Sequence, residues 1–464
     1  MQPRIAYTTS LKKSLSLREK LEQLAHQLAT GRCPRGLRLR NHHRSCIRDE
    51  QEQLSQDDFA LICEIIASGQ LRNGFVFDLS EICIGGNGMR ALASVLEFAP
   101  KDFTLNLSNS DLGNYEAILL FSAFKQIKCQ KGLTLILDHN NKIGLRGAQA
   151  IVDALPFCPE QFKLSMTDAK YFHSNEYKPR FTYQSTPKNY QFDSVYKCFI
   201  DPIVSQQSKF WPRGLQLHVD QFLPLMQAIT LGIKNGSLPK DFGLKINDFN
   251  PSQISVNTDK ALIQSLSSPH CPLGIRINHH FPPYKMPRTF FKAKSFPITE
   301  LIENGHYAEG MHLDLSHELG WIPRHSPLFP TISELHANKI LAKAIRANKG
   351  PRWSLTMDFS LYDYSDNQTY LVPGWQDIID AIKHNTTLSA LKINGINAAM
   401  AEALLDALKV NQSLTQLSLT CDTSVTPQLI DEIEGLISKN RIHHELSQFI
   451  SPEAADVVLA YKQS

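Results

Sequence analysis

The sequence predicts an α/β solenoid, in which strand–helix units stack in a row. Four stretches between residues 74 and 166 place apolar residues at alternate positions, as strands with one buried face do. They begin at Phe75, Phe103, Leu133 and Phe162, which are 28, 30 and 29 residues apart. Helical stretches with apolar residues spaced by three and four follow the first three. Because a strand–turn–helix unit with a constant period of this length is typical of solenoids, we expect parallel strands on a concave face and helices on a convex face.

The turn between strand and helix also repeats. The first three strands are followed by Ile84-Gly85, Leu112-Gly113 and Ile143-Gly144, so the units share the pattern L-x-L-S-x-x-x-[IL]-G before a helix, with small departures. This pattern resembles the ribonuclease-inhibitor type of leucine-rich repeat. The resemblance implies a horseshoe of alternating strands and helices, and it extends over residues 36–440.

The other units are assigned in chain order. A less regular first unit has a strand at Gly36–Leu39 and a helix at Asp57–Ser68. Seven later strands are expected at residues 214–219, 242–246, 273–277, 311–315, 353–357, 388–393 and 414–419. Their helices are expected at about 221–234, 258–266, 297–304, 333–348, 375–385, 398–410 and 427–439. The total is about twelve units.

Both ends of the array are expected to be capped, because an open solenoid end exposes apolar surface. Residues 14–30 predict the N-terminal helix, since Ser16 and Glu19 have capping-box spacing and the leucines that follow form one stripe. We therefore divide the chain into a cap at 1–35, a solenoid at 36–440 and a C-terminal cap or tail at 441–464.

Four insertions interrupt the regular spacing. They lie at residues 168–213, 278–297, 317–333 and 360–373, each after a strand and before the next helix, so they are expected on one edge of the solenoid. Aromatic residues make up 21 of their 97 residues, and Tyr and Trp are enriched at interfaces. The alternative is that these aromatics pack back onto the solenoid. The candidates for partner binding at this edge are Tyr177, Tyr183, Tyr190, Trp211, Tyr284, Trp321, Tyr362 and Tyr364.

The concave face is the second candidate surface. In each strand the middle residue should point away from the core. These residues are Arg38, Asp78, Asn106, Ile136, Ser165, His218, Lys245, Arg276, Asp314, Thr356, Lys392 and Ser418. The central run His218, Lys245 and Arg276, followed by Asp314, is the predicted partner-binding set, and its cations would suit an acidic partner patch, a phosphorylated group or a lipid headgroup. Alternatively, these are ordinary polar residues of a solvated strand face.

Composition limits the class of protein. A formal charge of +3 over 464 residues gives little support for nucleic acid or an anionic membrane as the main partner. The nine cysteines are scattered without zinc-ligand spacing, as expected for reduced thiols in a cytosolic setting. The N-terminus lacks the apolar core of a signal peptide, and the apolar run Phe59–Ala67 is too short to span a bilayer. A cytosolic-type soluble protein without a transmembrane segment is the resulting expectation.

Catalytic patterns are absent from the sequence. It contains no G-x-S-x-G, H-E-x-x-H or phosphate-binding glycine loop, and its histidine pairs lack a third metal ligand. We therefore predict a non-enzymatic protein without metal or cofactor, in which Cys198 is a packing residue. An alternative is an enzyme whose site is built by the 168–213 insertion, with Asp168, His173, Glu176 and Asp193 as its acid and base candidates.

Irregular repeats, long insertions, few cysteines and no signal peptide together resemble the leucine-rich-repeat effectors that intracellular bacterial pathogens inject into host cells. The resemblance implies binding to a host protein and export without a signal peptide. It does not extend to effectors with a ubiquitin-ligase domain, because only 24 residues follow the repeats. The other alternative is an inhibitor or regulator of another enzyme. The ribonuclease-inhibitor type is rich in acid and cysteine, whereas this chain is near neutral, which argues against the same target.

Overall fold

The structure, a computed structural model, describes residues 16–39, 54–140, 142–167, 198–220, 223–247, 261–262, 264–279, 297–314, 330–359, 372 and 374–447. The chain forms two compact units. The first comprises residues 1–232 and 236–249, and the second comprises residues 233–235 and 250–464.

The described residues of the first unit form seven strands, each parallel to the next in chain order. They are β1 (Gly36–Arg38), β2 (Val76–Asp78), β3 (Thr104–Asn106), β4 (Thr134–Ile136), β5 (Lys163–Met166), β6 (Gln216–Asp220) and β7 (Gly243–Asn247). Its helices are α1 (Leu17–Ala29), α2 (Gln56–Ala67), α3 (Gly85–Val95), α4 (Asn114–Ala123), α5 (Leu145–Ala154) and α6 (Leu223–Asn235), whose last three residues belong to the second unit.

The second unit repeats the arrangement. Where the structure describes it, the strands are β8 (Arg276–His279), β9 (Met311–Asp314), β10 (Trp353–Asp358), β11 (Leu388–Ile396) and β12 (Gln416–Cys421). All adjacent pairs are parallel. Its helices are α7 (Pro297–Asn304), α8 (Pro330–Ala347), α9 (Trp375–Lys383), α10 (Ala398–Leu408) and α11 (Pro427–Ser447).

One face of each strand lies in the core. Phe77, Leu105 and Leu135 occupy one register row of the first unit and are fully buried, at 0% exposure. In the second unit Leu355 and Leu391 form the corresponding row. Alternation along the strand then turns the residues between these towards the other face, which is where polar side chains can reach a partner.

The predicted α/β architecture of repeated parallel strands and helices is confirmed, with twelve strands in the described part of the chain. The helix expected at residues 14–30 also forms, as α1: the Glu19 amide donates to Ser16 Oγ at 3.2 Å, and the Ser16 amide donates to Glu19 Oε2 at 2.8 Å. The horseshoe shape and the leucine-rich-repeat identity remain predictions. In the described residues no helix is long and apolar enough to cross a membrane.

Part of the predicted 168–213 insertion belongs to the repeat itself. Residues 198–204 are helical, and a 3₁₀ turn follows at Gln207–Phe210. The ring of Trp211 packs edge-on against Phe199 with centroids 6.5 Å apart, and both side chains are buried. Phe199 and Trp211, at this end of the segment, therefore belong to the core. The insertion was predicted from the long spacing between the strands at Phe162 and Leu215, and spacing alone does not show where in the segment the repeat's own helix lies.

Candidate functional site

The candidate site is the polar face of the strands. In the first unit the register aligns the middle residues as predicted. That row consists of Arg38, Asp78, Asn106, Ile136, Ser165, His218 and Lys245. Neighbouring members lie on adjacent strands, roughly 5 Å apart, so their side chains can bond to one another.

The first three residues of that row form a closed network. Arg38 Nε lies 3.2 Å from Asp78 Oδ2, and Asn106 Nδ2 donates to Asp78 Oδ1 at 3.0 Å. Asp78 and Asn106 are buried, and the Ser80 amide also donates to Asp78 Oδ1. Because Asp78 and Asn106 bond to each other and to the amides of Ser80 and Ser108, these two side chains stabilise the strands more than they offer contacts to a partner.

A second cluster contains acid, hydroxyl and imidazole groups. Ser165 Oγ lies 2.7 Å from Asp138 Oδ1 and 2.7 Å from His218 Nδ1, and the Thr167 amide donates to the same Asp138 oxygen at 2.9 Å. The serine lies between the acid and the histidine. In an acyl-transfer triad the histidine lies between the acid and the serine, so this order does not activate Ser165 as a nucleophile. His218 pairs in register with Lys245 on the next strand, as the sequence predicts.

The second unit corrects the predicted register at β8. Arg276 aligns with His312, whereas Asn278 aligns with Asp314. Arg276 therefore does not lie in the same row as Asp314; it lies in the preceding row, two positions earlier along the strand. Both rows face the same side of the sheet, so Arg276 stays on the candidate surface. Asn278 Nδ2 donates to Asp314 Oδ2 at 2.6 Å, which engages the carboxylate that was predicted to meet a partner.

His312 is the centre of the polar face in this unit. Its Nδ1 lies 2.7 Å from Ser354 Oγ and its Nε2 lies 3.2 Å from Thr356 Oγ1, so hydroxyl groups on β10 hold both ring nitrogens. Burial lowers the pKa of His312 below its ordinary value of 6.5, Asp314 opposes this, and Arg276 and Lys392 lower the pKa further. The imidazole is therefore neutral near pH 7.

Arg276 and Lys392 flank this histidine. Both side chains are exposed, and neither forms an ion pair with any residue that the structure describes. The register places Arg276 beside His312 on the preceding strand. Lys392 lies two strands after His312 and in the next row, which also contains Asp314 and Thr356. Two solvated cations that form no ion pair within the described residues are the strongest feature of this face for recognising an anionic group. The alternation of side chains along the strands already predicts that Arg276 and Lys392 lie on this face. Their positions on either side of His312 follow only from the strand register in the structure.

Most of the loop-edge candidates lie outside the described residues. These are Tyr177, Tyr183, Tyr190, Tyr284, Trp321, Tyr362 and Tyr364. Trp211 is described and is 4% exposed, so its side chain is a core residue with little surface to offer a partner. The residues of the alternative enzyme site, Asp168, His173, Glu176 and Asp193, also lie outside the described part. Among the residues that are described, no three metal-ligating side chains come together.

Comparison with known proteins does not assign this chain to a family. No model of a known protein family matches this sequence, and no curated protein matches it.

Proposed function

We propose that this protein is a non-enzymatic binding scaffold that holds an acidic segment of a partner protein on the polar strand face of the second unit. The observation that carries the proposal is the pair of exposed cations, Arg276 and Lys392, without an acidic partner in the described chain. Following the effector resemblance, the partner is a protein of a eukaryotic host, and this protein acts inside the host cell after export.

The spacing of the two cations limits the partner's chemistry. They are three strand steps apart and offset by two residues along the strands, which separates them by roughly 16 Å. An extended peptide covers about 3.4 Å per residue, so two acidic residues four positions apart would reach both cations. Between them the peptide would cross the hydroxyl groups of Ser354 and Thr356, which are bound to His312.

A peptide titration tests this arrangement. The probe is an unstructured peptide with two glutamates four residues apart, and its match replaces both with glutamine. We expect the glutamate peptide alone to bind, and the double variant Arg276→Glu, Lys392→Glu to weaken binding at least about tenfold, since two favourable charge contacts become repulsive. The matched control Lys339→Glu, Lys439→Glu changes the same charge at exposed sites away from this face. Equal binding by both variants would contradict the proposed site.

The loop edge needs its own variant. Replacement of residues 170–196 by a Gly/Ser linker leaves the helical residues 198–204 and the Phe199–Trp211 contact in place. Capture of a partner from host-cell lysate by the intact protein, and its loss with this variant, would assign the loop edge as a binding surface. Capture that survives the replacement but fails with Arg276→Glu, Lys392→Glu assigns the strand face.

A further inference from the structure

The turns that lead from helix to strand form one continuous edge of the first unit. These turns comprise residues 30–36, 68–75, 96–103, 124–133, 155–162, 205–215 and 236–242, and are called the turn edge below. Their backbones are joined directly. The amides of Val76, Gly74, Asp102, Gly132, Gln161 and Gly214 donate to the carbonyls of Arg35, Lys101, Lys131, Glu160, Arg213 and Lys240 at distances from 2.8 to 3.1 Å. Side chains at equal positions in these turns therefore lie beside one another.

Three phenylalanines protrude from the turn edge. Phe98, Phe157 and Phe210 are 50%, 54% and 64% exposed. Each comes one residue before the buried side chain that closes its turn, which is Ala99, Cys158 or Trp211. The row Phe98, Lys128, Phe157, Phe210 spans three strand steps, roughly 14 Å. Large apolar side chains at one repeat position, exposed in three of four successive turns, are more than scattered surface residues.

The same edge is strongly basic. Its turns contain ten Lys and Arg residues, all exposed, and four Asp and Glu residues. Lys101, Lys131 and Arg213 have acidic neighbours within 4.0 Å. The remaining seven form no ion pair within the described part of the chain: Arg32, Arg35, Arg72, Lys125, Lys128, Lys209 and Lys240. Lys209 Nζ lies 5.1 Å from the centre of the Phe210 ring, so cation and apolar group project together. The formal charge of +3 for the whole chain conceals this local excess.

The equivalent turns of the second unit lack both features. They comprise residues 267–275, 304–311, 347–353, 384–388 and 410–414, and contain two cations, one acid and no phenylalanine. Their residues at the position of Phe98 include His270, His306 and Asn348. The solenoid turn itself therefore requires neither the phenylalanines nor the lysines, and their concentration in the first unit needs another reason.

An anionic lipid surface suits this combination. Clustered Lys and Arg residues attract anionic headgroups, while exposed Phe side chains enter the boundary between headgroups and acyl chains. The phenylalanines protrude from separate turns, and in the row Lys128 lies between Phe98 and Phe157. A fluid surface accommodates such separated protrusions, whereas a protein partner would need a matching pocket for each. We infer that the turn edge of the first unit binds peripherally to membranes that contain anionic phospholipids, with Phe98, Phe157 and Phe210 inserted among the headgroups.

Vesicle sedimentation with the full-length protein tests the inference. The probes are vesicles of phosphatidylcholine mixed with phosphatidylserine, and vesicles of phosphatidylcholine alone. We expect binding to the mixed vesicles, at least about tenfold weaker binding to phosphatidylcholine, and loss of binding as salt shortens the range of the attraction. The variant Phe98→Ala, Phe157→Ala, Phe210→Ala should bind less at every salt concentration.

Charge reversal gives a matched pair of variants. Lys125→Glu, Lys128→Glu, Lys209→Glu should abolish binding, whereas Lys339→Glu, Lys349→Glu, Lys439→Glu makes the same change of charge elsewhere and should preserve it. Circular dichroism and urea unfolding must show that both triple variants are folded. Equal binding to both kinds of vesicle, or equal binding by the two variants, would overturn the inference. So would absence of vesicle binding combined with turn-edge-dependent binding of polyglutamate, which would assign the edge to an acidic protein.

Discussion

At the scale of single residues, three buried asparagines connect successive repeats of the second unit. Asn385 Nδ2 donates to the Ile345 carbonyl at 2.7 Å, and Asn440 Nδ2 donates to the Asn411 carbonyl at 2.8 Å. Asn411 lies between them: its Nδ2 donates to the carbonyls of Ile382 and Asn385 at 2.6 and 2.8 Å. The amide side chain thereby satisfies backbone groups that neither strand nor helix pairs.

Replacement of Asn411 tests this role. In Asn411→Leu each of the two carbonyls would lose one of its donors, and the Ser413 and Leu414 amides would lose the Oδ1 acceptor that now lies 3.0 and 2.9 Å away. We expect the free energy of unfolding to fall by about 3 kcal/mol, measured by urea unfolding. The control is the exposed neighbour Gln412. Gln412→Ala should change the free energy of unfolding by less than about 0.5 kcal/mol. Similar values for the two variants would contradict the structural role of the asparagine.

His312 makes stability depend on pH. Its pKa is lowered from 6.5 in the folded protein, chiefly by burial, while Asp314 opposes and Arg276 and Lys392 support the shift. The unfolded chain therefore binds the proton first as the pH falls. The contribution of neutral His312 is fully present above the unfolded pKa, and it is lost as the pH falls from 6.5 towards the folded pKa.

The variant His312→Gln isolates this contribution. Glutamine keeps a donor and an acceptor for Ser354 and Thr356 but does not titrate. We expect the urea midpoint of the unmodified protein to fall more steeply than that of His312→Gln between about pH 7 and about pH 5. Because the two proteins share all other titrating groups, parallel curves would show that His312 is not responsible.

At the scale of elements, the packing of α3 on α2 depends on a glycine. A Cβ atom at Gly88 would lie 2.7 Å from Cζ of Phe59, whose ring is buried on α2. In contrast, a Cβ at Gly435 in α11 meets no atom within 4 Å. Two glycines with helical backbone thus have opposite surroundings.

The same substitution should therefore have opposite effects at the two sites. Gly88→Ala is expected to lower the free energy of unfolding by about 1–3 kcal/mol, because the Phe59 ring must move. Gly435→Ala is expected to raise it by about 0.5–1 kcal/mol, because alanine restricts the unfolded chain more than glycine does. Urea unfolding of both variants measures this difference, and destabilisation at Gly435 would mean that α11 packs differently.

The sequence predicts some elements better than others, for physical reasons. Alternation is strong where a strand has one buried face, so the strands at Phe77 and Leu105 were predictable. The segment Leu273-Gly-Ile-Arg-Ile277 is apolar at three alternate positions, and periodicity alone does not show which belongs to the core row. In the structure Leu273 is 48% exposed and Ile275 is fully buried. Arg276 was consequently assigned to the row of Asp314, and His312 was not recognised as its neighbour.

At the scale of the whole molecule, polar and apolar surfaces are distributed unequally between the units. Unpaired cations with protruding phenylalanines lie on the turn edge of the first unit, while exposed cations around a neutral histidine lie on the strand face of the second. Within each unit every strand pairs with the strands adjacent in sequence, so contacts run mainly between neighbouring repeats. For such an architecture, stability should be approximately a sum of terms for single repeats and for adjacent pairs.

Hydrogen exchange of the second unit tests this local organisation. In Asn411→Leu the lost bonds join the repeats of α9 and α10, because the carbonyl partners are at Ile382 and Asn385. The repeat of α11 is the next neighbour, since Asn440 Nδ2 donates to the backbone carbonyl of Asn411. If nearest-neighbour terms dominate, amides in these three helices should exchange faster, while those in α7 should keep the rates of the unmodified protein. Mass spectrometry of exchanged peptides resolves the helices separately, and Gln412→Ala should leave all of them unchanged. An equal loss of protection from α7 to α11 would show instead that the unit unfolds as one cooperative globule, because only a global opening exposes distant helices together.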